Sequence, residues 1–412
     1  MVCQSILNNI AILFIYMELH KKSKTASILI ALLLFLLLSC DGFFIPDTNK
    51  YFSSTIAVTP NLGTVGTDFS IKVHKLRILH DTIDDLSYHE FRWDYDNDGN
   101  FDTDWLEDSS TEYSFSKTGT HEIIVEIKTP GLEIYTDTVN IYVQDLIRVS
   151  SNNFLNDQTN SDWSLDGSNR VAFEAPAVNI DSEQPCDNAI WIVDFPGGEP
   201  KQVTNNCAKF PEWSSDGKYI LFRRGTEFWV MDLELDTEHL LFEQESVIPL
   251  IPSWLPKSNK LVYSTLFKII VYQINNGFMT TIPTDITYNL VAWSPDGQEI
   301  AGATRNGVLS AIDIYDEEEE KLTRSYPIGF AYHGEKLDWS SNRKWLSIGF
   351  ADNDNTIYLI DLTNGDFKLI NIASLQQTGY ASFSHDSKFL IFQGQAPGEN
   401  SAIWAIELPE DF

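Results

Sequence analysis

Basic residues are scarce in this 412-residue chain: 28 Lys and Arg face 59 Asp and Glu, for a formal net charge of −31. Phosphate binding needs a basic surface, so no nucleic-acid partner is expected; the acidity points instead to solubility, cationic partners or calcium. Catalytic signatures are missing too. The sequence holds no G-x-S-x-G elbow, no H-E-x-x-H pair and no Gly-rich phosphate loop. Beyond residue 146 the only histidines are His239, His333 and His385, each in a different repeat, which disfavours convergence on one metal. Long apolar runs are absent as well, since Ala26 to Leu38 holds 13 residues, too few to span a bilayer.

That short run has a different use. Lys21, Lys22 and Lys24 precede it and Leu37-Leu38-Ser39-Cys40 ends it, the layout of an export signal. Met17 is the better start, because residues 1–16 carry no charge. The segment resembles the lipobox of bacterial lipoproteins, which implies cleavage after residue 39, a lipid on Cys40 and a place in the cell envelope, inner or outer membrane undetermined. Residues 40–50 then form a tether, and the remainder is long enough for two domains with their own cores. Cysteine is as sparse as the other reactive groups: of four, Cys3 precedes the start and Cys40 is assigned to lipid, leaving Cys186 and Cys207 as one disulfide or two thiols in an exported chain.

One phrase recurs six times: an aromatic residue, usually Ser, a turn, then an apolar strand. The copies begin at Trp163, Trp213, Trp254, Trp293, Trp339 and Phe383, spaced 39 to 50 residues apart. That period matches a four-stranded propeller blade. In the second copy, Pro211 to Ser214, Lys218 to Phe222, Phe228 to Asp232 and Glu238 to Phe242 parse as four strands, with Asp216-Gly217 as a hairpin turn. The third strands, such as Ile190-Trp191-Ile192-Val193-Asp194, are apolar on both faces, as a sheet packed between two neighbours requires. The third, fifth and sixth copies lack the Asp-Gly turn.

Taken with Lys201-Gln202-Val203-Thr204-Asn205-Asn206 and Pro211-Glu212-Trp213-Ser214-Ser215-Asp216-Gly217-Lys218, these repeats resemble the TolB-type propeller family over roughly residues 146–412. The resemblance implies protein partners in the envelope, other lipoproteins among them. The last copy stops after its third strand at Phe412, so residues 146–150 are expected to supply the fourth strand of blade six and close the ring, which would remove an open edge.

Residues 51–145 alternate apolar and polar positions in β-branched runs bounded by Gly, Pro and Asp, the pattern of an antiparallel sandwich. Phe91-Arg92-Trp93-Asp94-Tyr95-Asp96-Asn97-Asp98-Gly99 and the later Gly119-Thr120-His121 resemble the immunoglobulin-like domain of the polycystic-kidney-disease (PKD) type. The expected fold class is therefore all-β: a six-bladed β-propeller preceded by an immunoglobulin-like β-sandwich, with almost no linker between them and hence a restricted orientation.

Candidate sites follow from this layout. Asp94, Asp96, Asp98 and Asp102 have the spacing of a calcium loop, but Trp105 stands where an EF-hand has its bidentate Glu, so a metal-free hairpin is the other reading. Cys186 and Cys207 fall in connections on the same propeller face, which suits a bridge. Arg223, Arg224, Arg305, Tyr332, His333 and Tyr380 fall on that face as candidate partner contacts, while no catalytic residue is assigned. The expected function is a non-catalytic protein-interaction scaffold; the alternatives are a carbohydrate- or peptide-active enzyme at the channel mouth and a calcium-dependent glycan-binding adhesin.

Overall fold

The computed structural model describes residues 52–412, apart from 79–80, 152–153, 155, 179–186, 206, 244–250, 256–257, 266, 305–309, 329–333, 351–354 and 411. The described chain is all-β, and none of its residues is helical.

Eight strands come first: β1 (Phe52–Thr59), β2 (Leu62–Gly63), β3 (Asp68–Ile78), β4 (Asp81–Ile83), β5 (Glu90–Asp94), β6 (Ser110–Ser114), β7 (Gly119–Lys128) and β8 (Ile134–Val143). One sheet runs β1-β3-β4 with β6 also on β3; the other runs β2-β8-β7-β5. Strict alternation sends Phe69, Ile71 and Val73 of β3 inward to meet Phe91 and Trp93 of β5 and Ile123, Val125 and Ile127 of β7. Each fully buried side chain of this size contributes about 1.5–3 kcal/mol, so the two facing rows hold this region together.

After β9 (Leu146–Arg148) come six sheets of antiparallel strands. Sheet one is β10 (Thr159–Trp163), β11 (Arg170–Pro176), β12 (Asn188–Asp194) and β13 (Lys201–Gln202); sheet two is β14 (Lys209–Trp213), β15 (Tyr219–Arg224), β16 (Glu227–Asp232) and β17 (Thr237–Glu243). Sheet three is β18 (Ser253–Trp254), β19 (Lys260–Thr265), β20 (Lys268–Gln273) and β21 (Met279–Pro283); sheet four is β22 (Tyr288–Trp293), β23 (Glu299–Thr304), β24 (Ser310–Asp316) and β25 (Lys321–Ile328). Sheet five is β26 (Gly334–Trp339), β27 (Trp345–Phe350), β28 (Thr356–Asp361) and β29 (Phe367–Asn371); sheet six is β30 (Gln376–Phe383), β31 (Phe389–Gln395) and β32 (Ser401–Glu407), with β9 as its fourth strand. Leu146, Ile147 and Arg148 pair antiparallel with Ile406, Ala405 and Trp404. The first strands touch in cyclic order, β10 with β14, then β18, β22, β26 and β30, and β30 with β10 again.

The recurring phrase has a local cause. The Ser after the aromatic donates its hydroxyl to the Asp or Asn two residues on, at 2.7 Å in Ser214, Ser294, Ser340 and Ser384. The same oxygen accepts the N–H that opens the next strand at 2.8–2.9 Å, tying both sides of the turn. Gly217 and Gly297 take positive φ there; where glycine is missing, Arg343 (φ 61°) and Ser387 (φ 58°) adopt the same left-handed conformation, at a cost of roughly 1–2 kcal/mol. The departures from Asp-Gly in the fifth and sixth copies thus change the residue and keep the turn.

The two regions share a sheet. Parallel pairing of β2 with both β8 and β29 makes one eight-stranded sheet, in the order β26-β27-β28-β29-β2-β8-β7-β5. Asn61 brackets Leu369, its N–H donating to the Leu369 carbonyl at 2.8 Å and its Oδ1 accepting the Leu369 N–H at 3.0 Å. The Thr64 hydroxyl accepts the Ala373 N–H at 3.1 Å. A side chain at Gly63 would put its Cβ 2.7 Å from Thr67, so this seam requires glycine. The near absence of a linker is only part of the restraint; the backbone ladder itself crosses the boundary.

Candidate functional site

The residue just before each repeated aromatic sits on a first strand, where alternation aims it opposite to the core-facing ring. These six are Asp162, Glu212, Ser253, Ala292, Asp338 and Ser382. Five carry polar side chains, and four of those bind the neighbouring sheet in the direction of the chain. Asp162 Oδ2 accepts the Trp213 N–H at 2.7 Å, Glu212 accepts the Trp254 N–H, Ser253 Oγ accepts the Trp293 N–H at 3.1 Å, and Asp338 Oδ2 accepts the Phe383 N–H at 2.6 Å. Ser382 Oγ donates to Asp338 Oδ2 at 3.1 Å and approaches Asp162 Oδ1 at 3.4 Å, returning to sheet one.

Lys336, two residues before Asp338 and therefore on the same side of β26, reaches past sheet six. Its ammonium donates to Asp162 Oδ1 at 2.5 Å and to the Ser161 carbonyl at 2.9 Å. Asp162 and Lys336 are buried, while Glu212 and Asp338 keep partial exposure and line the central cavity. Burial pushes the Asp338 carboxyl up to about 6 although Lys336 pulls the other way. Burial and then the Asp162 charge drive Glu212 well above the usual carboxylate range. Burial would lower Lys336, but Asp162, Glu212 and Asp338 overcome it and hold the lysine above its ordinary value.

The cavity these groups line measures about 30 Å³ and is bordered by Trp163, Trp213, Trp254, Trp293 and Trp339. That is room for about one water, not for a sugar ring or a peptide. These acids escaped the sequence analysis although a signal existed: aligning the six aromatics shows Asp, Glu, Ser, Ala, Asp and Ser in the preceding position.

In the acidic loop, Asp94, Asp96 and Asp102 each bring a carboxylate oxygen within 4.8 Å of the others. Asp98 is outside that group, and its Oδ1 accepts the Asn100 N–H at 2.7 Å. Backbone donors already use part of the cluster: Asp94 accepts the Gly99 N–H at 3.0 Å, and Asp102 accepts the Tyr95 N–H at 2.7 Å. Lost hydration, then Asp98 and Asp102, raise the pKa of Asp96. The Arg92 guanidinium packs on Phe101 (4.1 Å) and Trp105 (4.7 Å), so Trp105 anchors the loop from the position where an EF-hand has its Glu. Three hard oxygen donors fit calcium in kind.

The structure places three of the six residues assigned to a partner face, and it places them in strands. Arg223 and Arg224 belong to β15 rather than to a connection, because the hairpin to β16 is only Gly225-Thr226. Arg223 is buried, donates to the Gly225 carbonyl at 2.8 Å and lies over Phe228, and burial lowers its pKa. Arg224 pairs with Glu238 at 3.0 Å and lies over Trp229. Tyr380 is within β30, half-buried, at φ 52°. Arg305, Tyr332, His333, Cys186 and Cys40 lie outside the described residues, and Cys207 is buried.

No family model matches the chain, and no curated protein matches it. Its fold is similar to that of solved structures at low identity. An auxiliary nutrient binding protein from Bacteroides thetaiotaomicron is 12% identical, with 87% of this chain and 98% of that one covered and a TM-score of 0.48. TolB from Acinetobacter baumannii is 15% identical over 77% of this chain and 78% of that one, with a TM-score of 0.42. Hydrazine synthase from Kuenenia stuttgartiensis is 16% identical over 46% of this chain and 55% of that one, with a TM-score of 0.38. All three scores are under 0.5 and assign neither family nor function. The chain is an all-β protein of repeated four-stranded sheets.

Proposed function

We propose that this chain is a six-bladed β-propeller of the TolB-like type (146–412) fused to a PKD-like immunoglobulin-type sandwich (51–145), held at the bacterial cell envelope by a lipid on Cys40, and that it works as a non-catalytic scaffold for envelope proteins. The observation that carries the reading is the filled channel. Its carboxylates are spent on backbone N–H groups and on Lys336, and about 30 Å³ remains beside them. Raised carboxylates in a channel would suit an enzyme, but the space beside these is too small for a sugar ring or a peptide. Binding is then left to the outer surfaces. Proximity labelling from the chain in its native envelope tests the scaffold role: recurrent, saturable protein neighbours support it, and labelling no different from an inert lipoprotein of equal abundance refutes it. The Asp94, Asp96 and Asp102 cluster supports a second reading, calcium-dependent attachment through the sandwich.

A further inference from the structure

We infer that the outer rim of sheets two to four docks a basic, apolar segment of a partner protein. This rests on the scaffold reading and names where the scaffold binds. Large apolar side chains are exposed unevenly among the described residues. Beyond residue 146, Val178 apart, all of them fall in sheets two to four: Leu235 and Leu240, then Phe267, Phe278 and Met279, then Leu322. Phe278 is 60% and Leu235 69% exposed; exposed apolar side chains that cluster, unlike ones scattered singly, mark interaction surfaces.

Most of these residues share one end of the ring. Antiparallel order puts the turn between third and fourth strands at the same end as the turn after the repeated aromatic. Leu235 and Phe278 are in such turns, and Met279 and Leu322 follow directly after them. Sheets two and three are packed directly beneath them. Phe242 of β17 packs on the buried Tyr272 of β20 with ring centroids 4.4 Å apart, and the buried Tyr263 donates to the sulfur of the exposed Met279 at 3.9 Å.

Charge selects the occupant. Glu234 and Asp236 flank Leu235, and Asp316-Glu317-Glu318-Glu319-Glu320 precedes Leu322. Lys260 of sheet three binds Glu317 at 2.8 Å, so this acidic turn lies beside the apolar residues of sheet three. Glu318 and Glu320 are exposed. An apolar strip between acidic turns repels anionic lipid and nucleic acid and favours a segment carrying both Lys or Arg and apolar side chains. The site is also accessible, because the sandwich occupies the edge of sheet five, which in the cyclic order is opposite sheet two.

The test uses the full chain in nanodiscs of zwitterionic lipid, with empty discs as background. The probes are a labelled 18-residue Leu/Lys amphipathic peptide and its Leu/Glu counterpart, read by fluorescence anisotropy. The basic peptide is expected to bind about tenfold tighter or more. Two variants keep the fold by changing exposed positions only: Leu240→Ser with Phe278→Ser and Met279→Ser, which preserves charge, and Glu318→Gln with Glu320→Gln. Each is expected to weaken binding about fivefold or more. Unchanged binding by the serine variant means diffuse charge attraction and overturns the inference, as does equal binding of the two peptides. Self-association of the parent that the serine variant abolishes also overturns it, since the occupant is then a second copy. In the envelope labelling experiment, identical neighbours for parent and serine variant sink this rim while the scaffold stands; no neighbours for the parent sinks the scaffold itself.

Discussion

The sandwich and the ring of sheets solve the same problem, joining strands far apart in sequence, by opposite means. The sandwich faces two alternating sheets across an apolar layer; in its acidic loop Asp96 and Asp98 stay exposed, and its one buried loop acid, Asp94, is held by backbone N–H groups with no cation paired to it among the described residues. The ring packs apolar sheets face to face but meets at its centre in charge, with Asp162 and Lys336 buried together. Two sheets can close a core by surface area alone. Where the first strands of the six sheets meet in cyclic order the space is narrow, and short polar groups bridging neighbouring backbones fit it. The difference teaches that a buried acid in a repeat architecture can be a fastener between repeats before it is a catalyst.

The strongest way to break the comparison is Lys336→Met, which strands Asp162 without its cation. We expect a loss of about 3–5 kcal/mol from the ring and little change in the sandwich, followed by chemical denaturation with tryptophan fluorescence and hydrogen exchange of each region. Lys336→Met with Asp162→Asn should recover most of it; a single mutant as stable as the parent would remove the fastener role. Next is Gly63→Val, whose Cβ meets Thr67 at 2.7 Å. Overpacking of this kind costs about 1–3 kcal/mol, and calorimetry should show one transition separating into two; a single unshifted transition would mean the shared sheet does not link the regions.

A smaller effect comes from pH. Asp338 titrates at about 6 when folded, against an ordinary value of 3.8. The folded chain therefore takes up a proton that the unfolded chain does not. That stabilisation is complete below the unfolded value and is lost as pH rises through about 6, and Glu212, also raised, acts in the same direction. Stability of the ring should rise by on the order of 2 kcal/mol from pH 7.5 to 5. Below pH 4 it should fall, because Asp166 has the opposite sign: hydrogen bonds from Ser168, Arg170 and Ser164 outweigh its burial and hold it at about 2. A denaturation midpoint flat between pH 7.5 and 5 in the parent, or unaltered in Asp338→Asn, would contradict this. Smallest is calcium. A weak site at Asp94, Asp96 and Asp102 would add at most about 1.4 kcal/mol to the sandwich at tenfold excess over its Kd, abolished by Asp96→Asn with Asp102→Asn. Calorimetric titration showing no heat would leave the metal-free hairpin.

The repeat was readable because each copy of its phrase builds a turn by local bonds: Ser214 to Asp216 and back to Tyr219 needs nothing outside six residues. The third strands were readable for the same kind of reason, as burial on both faces leaves a continuous apolar run. The seam at Leu62 and Gly63 was not, since two residues carry no periodicity and their partners are β8 and β29. Arg223-Arg224-Gly225-Thr226 reads as a polar loop, yet a two-residue hairpin carries the strand through both arginines, and Phe228, Trp229 and Glu238 stabilise them there. Asp162, Glu212 and Asp338 were hard to see as a cluster because only three of the six copies, the first, second and fifth, carry an acid there, one each, and the period alone does not bring them together. They meet only where β30 comes back to β10.

The seam also decides what happens when the molecule is pulled. Tension applied ahead of Phe52 enters β1, passes to β3 along their paired length, and through β2 is handed to the fifth sheet by main-chain bonds. A hinge would let two beads turn separately under such a load; a shared ladder makes one beam of them, so a tug at the amino end reorients the whole ring.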